Sequence, residues 1–293
     1  MLESDEQITT GDWVLVSRDT RTFVRLLDRF SLIQRQSAGT DTIPQLVAAN
    51  VDTLFIVTSC NDDFNLSRLE RYLAIAYAAD VLPVIVITKK DMSDEPEYYV
   101  EKARTLGKSI PVELVNVHDP ISLSCLENWC ETGQTVALVG SSGVGKSTLT
   151  HALGAEYQKT GSIREDDAKG RHTTTHRSLH MLTNGAVLID SPGMRGIGVT
   201  DIGGAIDQVF VEIAKLSSEC RFNNCQHDHE PGCAVKAALD RNEITQRRMN
   251  NYKKLMAEQE HNDISVEERR KKEKETAKYH KSVKSKKKSR QKH

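Results

Sequence analysis

No stretch of the 293 residues approaches the ~18 consecutive apolar positions that a membrane span requires. The opening segment, MLESDEQITTGDW, has neither the basic start nor the apolar run of a secretory signal, so a cytoplasmic protein with no membrane partner is expected. Cysteine is scarce, six residues in all, and a reducing compartment does not favour structural disulfides. Reduced thiols or metal ligands are the expectation. An excess of one charge is also missing, since the net charge is -1. That balance hides an asymmetry: residues 269–293 hold 13 Lys/Arg against Glu273 and Glu275, a surplus of +11, and the rest of the chain carries -12. An acidic body with a basic tail points to contact between the tail and a polyanion, or else to a solvated terminus.

What is present suffices for one substantial core with one or two small satellites, at 38% hydrophobic residues. Residues 1–40 read as short β segments, 13–16 and 23–35, belonging to a small β domain. From residue 49 the pattern changes. The apolar runs 51–59, 81–88, 110–117, 134–140 and 186–190 alternate with helical stretches at 66–79, 96–106 and 121–131, and after the glycine-rich turn at 140–147. Continuous β-branched runs between helices predict a parallel sheet covered on both faces. Beyond residue 200 the chain reads as helical, interrupted by a cysteine/histidine knot at 220–233. From about 260 it becomes charged and low in complexity, a helix expected to fray into disorder.

The run Gly140-Ser141-Ser142-Gly143-Val144-Gly145-Lys146-Ser147, followed by Thr148, fits GxxxxGK[ST] between an apolar strand and a helix. The glycines let backbone N–H groups turn toward α- and β-phosphates, and the helix start adds partial positive charge. Lys146 is expected on the β/γ oxygens and the Ser147 hydroxyl on Mg2+. The strand 186–190 ends in Asp190 and continues Ser-Pro-Gly193, a DxxG pattern: Asp190 would hold Mg2+ through water and the Gly193 N–H would sense the γ-phosphate. Between them, one of Thr173, Thr174 or Thr175 could close onto Mg2+, with Thr174 our choice, and His172 could orient the attacking water.

Base selection rests on Thr88-Lys89-Lys90-Asp91. Asp91 can accept from guanine N1–H and the exocyclic amine; adenine lacks that donor pair, and its binding would cost on the order of 1–3 kcal/mol or more. The Lys89 stem can pack over the base. Thr88 stands where NKxD has Asn, and its hydroxyl is expected to do part of that residue's work, tying the base loop to the phosphate loop. Residues 115–117, VNV, are not the usual serine/alanine loop behind the base. The base motif precedes the phosphate motif by 55 residues, the reverse of most GTPases. Because the ligand loops of an open parallel sheet gather at its carboxyl edge, such a permutation leaves the site intact.

Cys220, Cys225, His227 and Cys233 offer three thiols and an imidazole within 14 residues, suited to one structural Zn2+; a disulfide, or His229 in place of His227, are the alternatives. Cys60, Cys125 and Cys130 read as core residues.

Together the segments 48–52 (AANVD), 88–91, 140–148, 170–175 (GRHTTT), 190–195 (DSPGMR) and 220–235 resemble the RsgA (YjeQ) family of circularly permuted, ribosome-associated GTPases, over about residues 45–255. The resemblance implies an α/β fold: a partial OB-fold at 1–45, a circularly permuted P-loop GTPase domain at 46–200, an α-helical zinc-binding domain at 201–260 and a basic tail at 261–293. Residues 1–40 match the second half of the OB barrel. It also implies Cys220, Cys225, His227 and Cys233 as zinc ligands and His172 with Lys146 in hydrolysis. The implied function is GTP hydrolysis by a monomer in late maturation of the small ribosomal subunit, with rRNA contact and release after hydrolysis. The rival readings are a metabolic P-loop enzyme and an RNA-binding scaffold that holds GTP with little turnover.

Overall fold

The structure, a computed structural model, describes residues 7–35, 45–154, 178–190 and 202–263. The loop 161–176 with His172 and Thr173–Thr175, the segment with Gly193, and the basic tail lie outside the described residues.

The chain begins with two small antiparallel pairs. Strand β1 (Val14–Val16) pairs with β2 (Phe23–Leu26), and β3 (Leu32–Arg35) with β4 (Gln45–Ala49). The stretch expected as one β segment over 23–35 is thus two strands. The break between them holds Arg29, whose guanidinium donates to both oxygens of Asp12 at 2.7 and 2.8 Å. Strand β4 runs from Gln45 to Ala49, so the small β region continues almost to Thr53, where an inner strand of the central sheet begins. Its core residues Ile33, Val47 and Ala48 are fully buried and join the main core.

Then come β5 (Thr53–Ser59), α1 (Leu66–Ala78), β6 (Leu82–Thr88), α2 (Pro96–Arg104), β7 (Val112–Leu114), α3 (Pro120–Leu123), β8 (Thr135–Gly140), α4 (Lys146–Ala152), β9 (Ser178–Met181) and β10 (Val187–Asp190). They build one six-stranded sheet in the order β7-β6-β5-β8-β10-β9. Every pair is parallel except the edge strand β9, antiparallel to β10. All seven residues of β5 are buried, as a strand covered on both faces requires. One face packs on α1, α2 and the C-terminal helices, the other on α3, α4 and a 3-10 turn over Ser124–Trp129.

Two expected elements are shorter in the fold. The helix expected over 121–131 is one α turn plus that 3-10 turn. Asp119 caps it at the Ile121 N–H, and Ser124 Oγ and Cys125 Sγ donate to carbonyls three residues back, a competition that tightens the winding. The strand expected over 110–117 is limited to Val112–Leu114, because Asn116 turns the chain: its N–H donates to Ser122 Oγ and its Oδ1 accepts from the His118 N–H. Cys60 and Cys130 are buried and Cys125 half-buried. Burial pushes Cys60 to about 11 and Cys130 to about 12, so both stay thiols at neutral pH.

The C-terminal region is helical: α5 (Gly203–Val209), α6 (Val211–Ser218), α7 (Ala234–Asp240) and α8 (Gln246–Asp263). Its residues Phe210, Ile213, Val235 and Leu255 are fully buried in the same core cluster as α1. Among the described residues no helix is long and apolar enough to cross a membrane.

Candidate functional site

Strands β5, β6, β7, β8 and β10 run parallel, so their carboxyl ends share one edge of the sheet. The base motif leaves β6, the phosphate motif leaves β8, and Asp190 ends β10. The permuted motifs therefore arrive at one edge.

The phosphate loop fills the turn from Gly140 to Lys146. Gly140 has φ +149°, and a Cβ there would stand 2.2 Å from the Val57 carbonyl oxygen of the neighbouring strand. Only glycine fits. Gly143 and Gly145 take left-handed φ of +80° and +94°. Val144 is 1% exposed and pins the loop into the core below. Lys146 opens α4 and its Nζ donates to the Gly140 carbonyl at 2.8 Å and to the Ser141 carbonyl, so its charge lies over the loop. Ser147 and Thr148 are exposed in the first turn of α4, and Ser141 and Ser142 line the loop.

Thr88, the last residue of β6, is fully buried. Its Oγ1 lies 2.6 Å from the Val144 carbonyl oxygen and 3.1 Å from that of Thr58. A hydroxyl has one proton, and the shorter contact identifies Val144, in the phosphate loop, as the acceptor. The hydroxyl thus bridges base loop and phosphate loop, as the substitution for Asn led us to expect. Lys89 follows with a left-handed φ of +60°, and a 3-10 turn over Lys90–Met92 holds Asp91 at the surface of this edge.

Two further segments border this edge, the loop at 115–117 expected behind the base and a strand that the sequence did not announce. The loop after β7 reaches the base loop through the Val115 carbonyl, 3.4 Å from the Lys90 N–H, and the Asn116 turn shapes it. On the other side, Ser178 of β9 stands directly across from Asp190, with its Oγ 2.8 Å from His180 Nε2. Spacing gave no hint of β9, whose four residues follow a polar stretch.

The second site is the Cys/His loop between α6 and α7. The ligand atoms of Cys220, Cys225, His227 and Cys233 all lie within 4.8 Å of one another. The Cys220 and Cys233 sulfurs are 3.9 Å apart, and His227 Nδ1 lies 3.6 Å from Cys220 Sγ and 3.4 Å from Cys233 Sγ. A tetrahedral zinc with Zn–S ~2.3 Å and Zn–N ~2.0–2.1 Å calls for S···S near ~3.8 Å and N···S near ~3.6 Å. The three pairs among Cys220, His227 and Cys233 have the spacing of a zinc site. Its supporting shell fits as well: His227 Nε2 lies 3.1 Å from Ser217 Oγ, whose proton goes to the Ile213 carbonyl at 2.8 Å. With its own proton committed, Ser217 accepts, which makes Nε2 the protonated nitrogen and frees Nδ1 for metal. Burial lowers the His227 pKa, favouring the neutral ring that a metal binds. The Glu230 carboxylate accepts from the N–H groups of Gln226, Asp228 and His229 at 2.8, 2.9 and 3.1 Å, which holds its pKa down at about 2 and shapes the loop. His229 stays exposed outside the cluster.

Comparison with known proteins agrees with this architecture. A family described as RsgA GTPase matches residues 26–200. A second, described as ABC transporter, matches residues 126–292; that match includes the phosphate loop but excludes the base loop at 88–91. A small ribosomal subunit biogenesis GTPase RsgA 2 from Vibrio vulnificus is 50% identical over 280 residues, 95% of this chain and 80% of that protein. The corresponding RsgA of Mesorhizobium japonicum is 50% identical over 256 residues, 86% of this chain and 74% of that protein. Among solved structures, YloQ, described as a circularly permuted GTPase, superposes with a TM-score of 0.59 at 26% identity, covering 88% of this chain and 82% of that one. YjeQ from Thermotoga maritima shares the fold, with a TM-score of 0.62 at 24% identity over 86% and 84% of the two chains. With permuted motifs on one sheet edge, a Cys3His cluster behind them and relatives half identical over nearly its whole length, the chain belongs to the RsgA family of circularly permuted GTPases of small ribosomal subunit biogenesis.

Proposed function

We propose that the chain binds GTP across the carboxyl edge of its sheet and hydrolyses it in contact with the small ribosomal subunit and its rRNA, leaving the particle afterwards. Asp91 would read the guanine edge, with the Lys89 stem over the ring. The N–H groups from Gly140 to Thr148 would surround the phosphates, and the Lys146 ammonium would move from the loop carbonyls to the β/γ oxygens. Ser147 and Asp190 have the oxygen chemistry for Mg2+, which would neutralise charge developing on the phosphates. Thr174, Gly193 and His172 are proposed partners on the γ-phosphate side. One structural Zn2+ in the Cys3His cluster would hold the C-terminal loop in shape.

The observation that carries this reading is the Thr88 hydroxyl on the Val144 carbonyl, which ties the loop proposed to read the base to the loop proposed to cradle the phosphates. The test is GTP turnover, with and without purified small subunits, for the wild type and Thr88→Val. Subunits should raise wild-type turnover. Thr88→Val strands a buried carbonyl, a loss of about 1–1.5 kcal/mol, and should weaken GTP and GDP about tenfold alike. Turnover that stays negligible with subunits present would instead favour a scaffold that holds GTP.

A further inference from the structure

Glu70 lies in the second turn of α1 and none of its surface is exposed. A carboxylate withdrawn from water needs its lone pairs filled, and here α8 supplies the donors. Arg247 gives Nη1 to Oε2 and Nη2 to Oε1, each at 2.9 Å. Arg248 gives Nη1 to Oε1 at 2.8 Å, and Asn251 gives Nδ2 to Oε2 at 2.6 Å. Arg248 also bonds Glu212 of α6, donates to the Val209 carbonyl at 2.7 Å and lies over the Phe210 ring at 4.8 Å. Burial works against its charge, but Glu212 and Glu70 outweigh that and hold its pKa above the ordinary value. One carboxylate of the nucleotide domain thus gathers α6 and α8.

Helix α6 leads into the Cys/His loop and α8 touches it. Ser217 of α6 holds His227, and Lys253 of α8 bonds Asp228 inside the loop. At its other end α1 starts just after the nucleotide edge: Asn65 caps it at the Arg68 N–H, and the Cys60 N–H donates to the Thr88 carbonyl at 3.0 Å. The hydroxyl of that same Thr88 holds the phosphate loop. A series of contacts, joined by α6 and the start of α1, therefore runs from His227 through Glu70 to Val144.

We propose that the Glu70 clamp couples metal binding at the Cys3His cluster to guanine-nucleotide affinity, each ligand strengthening the binding of the other. This rests on the nucleotide site proposed above. Linkage makes the effect reciprocal, and couplings of this kind are typically ~5- to 150-fold.

The experiment measures zinc affinity of the full chain by competition with a chelator, with and without saturating GDP, and GDP affinity with and without zinc. In the wild type both ratios should be equal and at least about fivefold. Glu70→Gln should bring both toward one. So should Arg247→Gln, a milder change because that side chain is 38% exposed and supplies two of the four bonds. A wild-type zinc affinity indifferent to GDP overturns the proposal, as does a full ratio retained in Arg247→Gln. A clamp that were only structural would lower stability in these variants and leave the ratios alone. Asp91→Asn is the control: if it binds GDP as the wild type does, the nucleotide-site reading fails rather than the clamp.

Discussion

The two flanks of the central sheet are attached in opposite ways. The N-terminal pairs are held chiefly by hydrogen bonds to backbone groups: the Ala49 N–H donates to the Thr10 carbonyl, the Asn50 side chain bonds the Phe30 N–H and the Gly11 carbonyl, and the Ser31 hydroxyl brackets Val51. The apolar side chains of the β1–β2 ribbon stay largely outside, with Trp13 67% and Val16 57% exposed, and only β3 and β4 send Ile33, Val47 and Ala48 into the main core. The C-terminal helices are attached through side chains, with Phe210 and Leu255 fully buried and Glu70 enclosed by α8. A two-stranded ribbon has no layer against which to bury a face, whereas a helix lying on a helix does. The ribbon of the first flank is placed by its turns, the second flank by its core and its Cys3His loop.

Three substitutions probe that contrast. The largest effect is expected from Cys225→Ser, which leaves the metal loop a ligand short. Bound zinc should disappear, and hydrogen exchange should accelerate across 211–240 while β5, β6 and β8 keep their protection. Helices that stay protected would show that they stand without metal. Next is Gly11→Ala. Gly11 has φ +94°, and a Cβ would sit 2.1 Å from the Ala49 carbonyl oxygen and 3.2 Å from Ile189 Cδ1. Urea unfolding should report a loss of about 2–4 kcal/mol, since backbone placement is what the first flank depends on. A wild-type midpoint would mean that this flank is not placed by that turn. The smallest effect is expected from Trp13→Ser, within about 0.5 kcal/mol in the same assay, because the ring covers little. A large loss there would assign the ribbon a core of its own.

Much of this molecule could be read from the chain alone, for identifiable reasons. The runs that became β5 and β6 are long, β-branched and uninterrupted, and nothing but a doubly covered parallel strand suits them. The helix starting at Leu66 was within a residue of its observed extent, since Asn65 caps it. The phosphate loop and the Cys3His cluster carry spacings that geometry dictates. The Thr88 bridge was legible because its chemistry had to replace an asparagine's. What stayed hidden depends on contacts distant in sequence. Glu70 sits in an amphipathic helix where a glutamate reads as solvated, and its donors are about 180 residues away. The 3-10 turn over Ser124–Trp129 arises from local hydroxyl and thiol bonds that outcompete a helical pattern. Strand β9 has alternating exposure but only four residues, and its pairing with β10 is what defines it.

The strand order has one more implication. Strands β5–β7, which include the base loop after β6, form one contiguous block, and β8–β10, which bear the phosphate loop and Asp190, form another. The blocks adjoin along a single seam, where Thr53–Val57 pair with Val136–Gly140, Asp52 accepts from the Thr135 N–H and Thr88 reaches Val144. Between β7 and β8 the polypeptide crosses that seam once. A guanine nucleotide lying over this edge would span the join, with its purine on one fragment and its phosphates on the other. Severed in that crossover, the domain becomes a pair of complementing pieces, and their reassociation would serve as a gauge of the nucleotide that splices them.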